Sequence, residues 1–174
     1  MENPLVAIIM GSNSDIPVMD EAIRVLEKFE IAYEIKILSA HRTPDEAGTF
    51  MKGLAGRGVK VLIAGAGWAA HLAGAAAAHT TIPVIGVPID SSPLNGMDAL
   101  LATVQMPPGV PVATMAVGKG GAYNAGLFAV QILALMDSKL AKRFATFKKK
   151  MAEDVMSKKN KELQEYLAGR KKGD

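Results

Sequence analysis

The chain has 174 residues, 49% of them hydrophobic, which is enough to bury one core and argues for a single compact domain. It holds no cysteine, which excludes a disulfide framework, a thiolate nucleophile and a thiolate metal site, and points to a reducing compartment, the cytoplasm. The net charge of +3 divides unevenly, since residues 1–137 carry 8 Lys+Arg against 12 Asp+Glu and residues 138–174 carry 12 against 5.

The opening Met1-Glu2-Asn3-Pro4 has no basic region, and the apolar run Leu5–Met10 is too short for a signal core or a membrane span, so export is not expected. That run reads instead as a first strand. Pro17–Phe29 follows as a helix with Val18, Met19, Ala22, Val25, Leu26 and Phe29 along one face. Tyr33–Ile37 alternates apolar and polar residues and reads as a second strand. Thr43-Pro44-Asp45-Glu46 then opens a helix to about Gly56 with a cap, an early proline and first-turn acids. Val59–Ala64 makes a third strand, Ala69–His79 an alanine-rich helix, Pro83–Pro88 a fourth strand and Met97–Gln105 a fourth helix. Val110–Val117 reads as a fifth strand interrupted by Pro111, and Ala122–Met136 as a fifth helix.

Five alternating β-α units predict a three-layer α/β/α fold over residues 1–137, a doubly wound parallel sheet of flavodoxin or Rossmann type covered on both faces. From Ser138 onward Leu140, Phe144, Phe147, Met151 and Val155 fall four, three, four and four residues apart, the stripe of an amphipathic helix. The lysines of this tail then form its wet face. With no aromatic-interleaved basic cluster or zinc-finger spacing beside them, nucleic-acid binding is not expected. The stripe follows a completed sandwich, so residues 138–174 are expected to form an arm on a neighbouring subunit, and Lys171-Lys172-Gly173-Asp174 reads as a frayed end.

Chemistry is concentrated in the turns after the strands, where open α/β sheets bind ligands. In Gly11-Ser12-Asn13-Ser14-Asp15, free amides and hydroxyls can cradle a phosphate, while Asp15 suits a sugar hydroxyl. Ser14 or Asp15 serves equally as a cap for the helix ahead of Pro17, and capping and binding can coexist. Ser39-Ala40-His41-Arg42-Thr43-Pro44 places a titratable imidazole and a fixed cation in a strand-to-helix turn. Taken alone, it is open whether Arg42 merely neutralises nearby acids and His41 is simply a turn residue.

Gly65-Ala66-Gly67-Trp68-Ala69-Ala70 has the G-x-G-x-x-A form of a dinucleotide fingerprint, with Asp90 falling 20 residues after Ala70. That fingerprint normally opens the first unit and serves an acceptor domain, which this chain lacks. A tight pocket floored by backbone amides, for a small neutral or planar group, is the better reading. His71 suits a structural bond to a neighbouring loop as well as a functional role, and His79 suits the end of its helix electrostatically. The three histidines have no carboxylate at metal-ligand spacing. Gly118-Lys119-Gly120-Gly121-Ala122 lacks the ending of a Walker motif, and there is no G-x-S-x-G elbow.

Taken in order, Gly11–Asp15, Ser39–Pro44, Gly65-Ala66-Gly67, Ala69-Ala70-His71-Leu72 and Pro83–Pro88 resemble the successive motifs of the PurE family. Gln105-Met106-Pro107, Gly109–Thr114 and Asn124-Ala125-Gly126 continue the series, so the match runs from about Ala7 to Leu133. The resemblance implies a purine-biosynthesis enzyme that forms 4-carboxy-5-aminoimidazole ribonucleotide, without metal or organic cofactor. It also implies a homo-octamer whose sites use residues from neighbouring subunits.

Ala116–Gly126 is similar to the bacterial, class I type, a mutase that isomerises N5-carboxyaminoimidazole ribonucleotide by moving its carboxylate from nitrogen to ring carbon. The other chemistry of the family carboxylates aminoimidazole ribonucleotide directly with carbon dioxide. By motif, the resemblance makes His41 the proton shuttle and gives phosphate to Ser12, Ser39 and Arg42 and ribose to Asp15, with Gly11 and Ala40 in the same substrate-binding turns. It gives the base and carbon dioxide to Ala66, Gly67, His71 and Leu72. The chain departs from the family pattern at Trp68, where glycine is usual, at Ala73, where proline stands, and at Ala75, where methionine is usual. The fold alone also admits a nucleotide-binding regulatory module without catalysis.

Overall fold

A computed structural model describes residues 3–170 of the chain, and the expected frayed end at Lys171-Lys172-Gly173-Asp174 lies outside the described residues. The chain separates into two compact units after Leu133. The first is built on five parallel strands, β1 (Val6–Met10), β2 (Tyr33–Ile37), β3 (Val61–Gly67), β4 (Val84–Ile89) and β5 (Ala113–Thr114), in the order β2-β1-β3-β4-β5. Helices α1 (Ile16–Lys28), α2 (Pro44–Lys52), α3 (Leu72–His79), α4 (Met97–Val104) and α5 (Lys119–Ala134) alternate with them. This is the doubly wound α/β arrangement expected from the strict alternation of strand and helix.

Strand β1 lies between β2 and β3, with Val6 opposite both Tyr33 and Val61 and Met10 opposite both Ile37 and Gly65. Its five residues are all buried. Alternation sends Ala7 and Ile9, with Leu62 and Ala64 of β3, to the face packed by Phe50 and Met51 of α2 and Leu72, Ala73 and Ala76 of α3. Right-handed crossovers put α1 and α5 on the other face. There a Cβ on Gly126 of α5 would press on Val25 and on the Ala22 carbonyl of α1, so the absence of a side chain lets the two helices meet closely.

Several boundaries differ from the sequence reading for local reasons. The expected fifth strand, Val110–Val117, contracts to Ala113–Thr114, because Pro111 offers no N–H to a ladder and Gly109 has a left-handed φ of 95°. Helix α3 starts at Leu72 rather than Ala69, and α5 starts at Lys119 rather than Ala122, after Gly118 turns the chain with a φ of 76°. Helix α2 stops at Lys52, and Ala55–Arg57 forms a separate 3-10 turn. Strand β2 is an edge strand with Ile35 and Ile37 exposed, so the sheet is not covered on both faces at this edge as the doubly wound reading expected.

The second unit contains α6 (Ser138–Asp154), a π-helical turn at Val155–Lys159 and α7 (Asn160–Arg170). The Asp137 carboxylate caps α6 by accepting the Lys139 and Leu140 N–H groups at 2.8 and 3.0 Å. Along the stripe, the Phe144 and Phe147 rings lie 6.0 Å apart, while Met151 and Val155 are exposed. Among the described residues no helix is long and apolar enough to cross a membrane.

Candidate active site

The carboxyl ends of β1 to β4 open on one rim of the sheet, and the strand order reverses between β1 and β3, the switch point at which such sheets bind ligands. A cavity of about 600 Å³ occupies that place. It is lined by Gly11, Ser12, Ser14 and Asp15 after β1 and by Ser39, Ala40, His41 and Arg42 after β2. Ala66, Gly67, Trp68, Ala69, His71 and Leu72 line it from the end of β3, and Ser91 from beyond β4. All eleven residues singled out from the sequence for catalysis or substrate binding therefore meet in one cavity.

The first turn is a reciprocal cap. Ser12 Oγ accepts the Ser14 N–H at 3.3 Å, and Asp15 Oδ2 accepts the Ser12 N–H at 3.0 Å. Ser12 thus caps the 3-10 turn Asn13–Asp15 that leads into α1, while Asp15 stands at the N-cap position of α1 with helical backbone and no capping bond to it. Asp15 is only 4% exposed, and burial pushes its carboxyl above the ordinary value of 3.8, against the opposing pull of the Ser12 and Gly11 amides, the Ser14 hydroxyl and the Arg42 charge.

The second turn is pinned at both ends. Ser39 Oγ accepts the His41 and Arg42 N–H groups at 3.3 and 3.1 Å, and Thr43 Oγ1 accepts the Ser39 N–H at 3.0 Å. Thr43 stands at the N-cap position of α2, yet its hydroxyl is turned back to Ser39 and caps no amide of the helix. Arg42 donates from Nη2 to the Gly11 carbonyl at 2.6 Å and from Nε to Ser39 Oγ at 3.4 Å. It therefore ties the second turn to the first, and its charge stands where Ser12 and Ser39 offer hydroxyls. A phosphate placed there meets a guanidinium and two hydroxyls.

The third turn brings a second imidazole. His41 Nε2 and His71 Nδ1 are 2.9 Å apart, with ring centroids at 5.0 Å and planes 74° apart. One ring donates and the other accepts, so the bonded pair has room for one proton beyond neutrality and no more. This answers the question of His71, which bonds a neighbouring loop and does so inside the cavity. His79, in contrast, donates from Nδ1 to the Ala75 carbonyl at 2.8 Å at the end of its own helix, as expected of a helix-terminal histidine.

Gly67 ends β3 where a Cβ would collide with Ser91 Oγ, so the cavity floor is closed by the approach of the β4 loop. Trp68 follows with a φ of 54°, a left-handed conformation that suits glycine, which the resemblance makes usual at this position. Asp90, the acid a dinucleotide site would need, is not among the residues lining the cavity and stands beside Gly118. Ser14, Trp68, Ala69 and Ser91 line the cavity without having been singled out for catalysis or substrate binding. Ser91 was accessible through the rule that every strand's carboxyl end contributes, since it follows β4 by two residues.

The family model described as AIRC, AIR carboxylase, matches residues 5–154. A Bacillus subtilis protein named N5-carboxyaminoimidazole ribonucleotide mutase is 57% identical over 140 residues, covering 80% of this chain and 86% of that protein. A Pyrococcus horikoshii protein of the same name is 52% identical over 164 residues, covering 94% of this chain and 91% of its own. Among solved structures, Treponema denticola PurE superposes with a TM-score of 0.82 at 29% identity, over 91% of this chain and 98% of that one.

Proposed function

The chain belongs to the AIR carboxylase family, in its PurE class I mutase branch, and from that premise we propose how its cavity works. It is an isomerase of purine biosynthesis, converting N5-carboxyaminoimidazole ribonucleotide to 4-carboxy-5-aminoimidazole ribonucleotide. The observation that carries the mechanism is the bonded His41–His71 pair in one cavity with Arg42, Ser12, Ser39 and the buried Asp15.

Ser12, Ser39 and Arg42 hold the phosphate and Asp15 accepts from the ribose, with Gly11 and Ala40 shaping the two turns. Ala66, Gly67, His71 and Leu72 enclose the base and the migrating carboxylate. His41, protonated, gives its proton to the exocyclic nitrogen as the nitrogen–carboxylate bond breaks, leaving aminoimidazole ribonucleotide and carbon dioxide. The ring carbon then attacks the carbon dioxide, forming the carbon–carbon bond and a non-aromatic ring that still bears its hydrogen. His41 removes that proton, the ring regains aromaticity, and the imidazole returns to its starting state. One proton is lent and recovered, which is the capacity of the histidine pair. Holding free carbon dioxide requires a closed, dry space, which the small residues of the glycine and alanine turns can provide around the bound base.

The apolar residues left exposed in the first unit support a homo-oligomer. Leu94, Met97, Leu101 and Val104 cluster on and before α4, and Ile35 and Ile37 lie on the edge strand. A second copy of the chain is the occupant that fits such patches. The octamer implied by the resemblance, with α6 as an arm on a neighbour, and a cytoplasmic setting consistent with the absence of cysteine, complete the reading.

The test is formation of product from two starting points, N5-carboxyaminoimidazole ribonucleotide alone and aminoimidazole ribonucleotide with bicarbonate, by the parent and by His41→Asn. The parent is expected to use the first efficiently and the second feebly. His41→Asn is expected to lose about 10²–10⁴ in kcat while still binding the nucleotide. Near-normal turnover of that variant excludes His41 as the shuttle.

A further inference from the structure

Trp68 is the single tryptophan of the chain, and it is 59% exposed while lining the main cavity. Among the described residues it is the one large exposed apolar side chain that does so, the others lying at Leu5, on α1, on β2, on and before α4 and in the second unit. Its backbone has a φ of 54°, which is costly for a residue with a bulky side chain. Nothing local repays that cost: the residue is mostly exposed, so it gains little from burial in the core. An aromatic ring held in a disfavoured conformation at a binding cavity is a pattern in which strain is tied to a ligand.

The rest of the cavity indicates which part of a ligand the ring meets. Cations and hydroxyls gather at the first two turns, around Arg42, Ser12 and Ser39, and leave the phosphate there. The planar base must lie by His41 for a proton to pass, and His41 is bonded to His71, three residues beyond Trp68 in the same turn. Apart from the two imidazoles and Trp68, this end is lined by Ala66, Gly67, Ala69 and Leu72, none of which offers a flat face.

We propose that Trp68 is a base-binding residue of this enzyme, its indole packing over the aminoimidazole ring and shielding the carbon dioxide released beneath it from water. The inference rests on the mutase reading. It adds a residue that binds the base and retains the intermediate, while the proton transfers stay with His41.

The sole tryptophan makes the test direct. Titration of the parent with 4-carboxy-5-aminoimidazole ribonucleotide is expected to quench and shift its intrinsic fluorescence saturably. Trp68→Gly is expected to raise KM about 5- to 150-fold, the range of aromatic–base stacking, with a smaller fall in kcat. It is also expected to release a larger share of aminoimidazole ribonucleotide per turnover, above the uncatalysed background, and Trp68→Phe is expected to restore most of both. Because glycine relaxes a left-handed position, Trp68→Gly should melt at a higher temperature than the parent. A silent fluorescence titration, a KM within twofold of the parent's, or a lower melting temperature with loss of oligomer mass would overturn the proposal, the last by assigning Trp68 to a subunit contact. Failure of the parent itself with both starting materials would instead remove the mutase reading.

Discussion

At the scale of single residues, the site depends on groups whose meaning changes with their partners. Asp15 looked from its position like a cap or a ribose acceptor, and the structure makes it half of a reciprocal cap and a buried wall of the cavity at once. Its burial has a consequence for stability. The folded protein holds the Asp15 proton to a higher pH than the unfolded chain does, because its carboxyl is pushed above 3.8. The fold is therefore favoured below that value, and this contribution declines as pH rises through the raised pKa and is flat beyond it. Asp15→Asn does not titrate, so its melting temperature relative to the parent is expected to climb between about pH 4 and pH 7. Paired thermal melts across that range check it, and a difference that stays flat or falls would show that the Ser12 and Gly11 amides outweigh desolvation. His71 shows the limit of reading at this scale: its identity suggested either a structural or a functional bond, and only the fold shows that its partner is His41, 2.9 Å away inside the cavity.

At the scale of elements, periodicity was a good guide to which segments are helices and strands and a poor guide to where they end. Apolar runs identified four strands and alternation the second, yet β5 was overextended because a run of small apolar residues looks alike inside and outside a ladder. Pro111 was the signal that should have shortened it. The junction of β3 with its following turn is set by contact between elements: Gly67 carries no side chain because Ser91 and the Ile89 carbonyl fill that space. Gly67→Ala is expected to destabilise the protein by about 1–3 kcal/mol through overpacking. Adding Ser91→Ala should recover part of the loss, since the Ile89 carbonyl remains in place. Denaturant unfolding of the two single variants and the double measures that coupling, and strict additivity would mean that the clash is relieved elsewhere.

At the scale of the whole molecule, the basic tail was legible as an amphipathic helix, because its apolar residues repeat at helical spacing among the lysines. The helix is capped by Asp137 and continues through a π turn, with Met151, Val155 and Met156 exposed. If α6 is an arm between subunits, removal of residues 138–174 should lower the particle mass measured by light scattering. An unchanged mass would count against an arm formed by this segment.

What the sequence determined by itself was everything carried by short-range order: the alternation of apolar strands with helices, the turns rich in small and polar residues, and the motif series that identified the family. Those signals are local, since backbone preference and side-chain period act over a few residues. The tertiary structure alone decided that β1 pairs with both β2 and β3, and so which turns face one another. It joined His41 to His71 across 30 residues of chain and brought Ser91 against Gly67. It also left Trp68 exposed at the cavity. Such contacts follow from strand order and crossover hand, which are settled by packing the whole sheet and leave no mark at any one position.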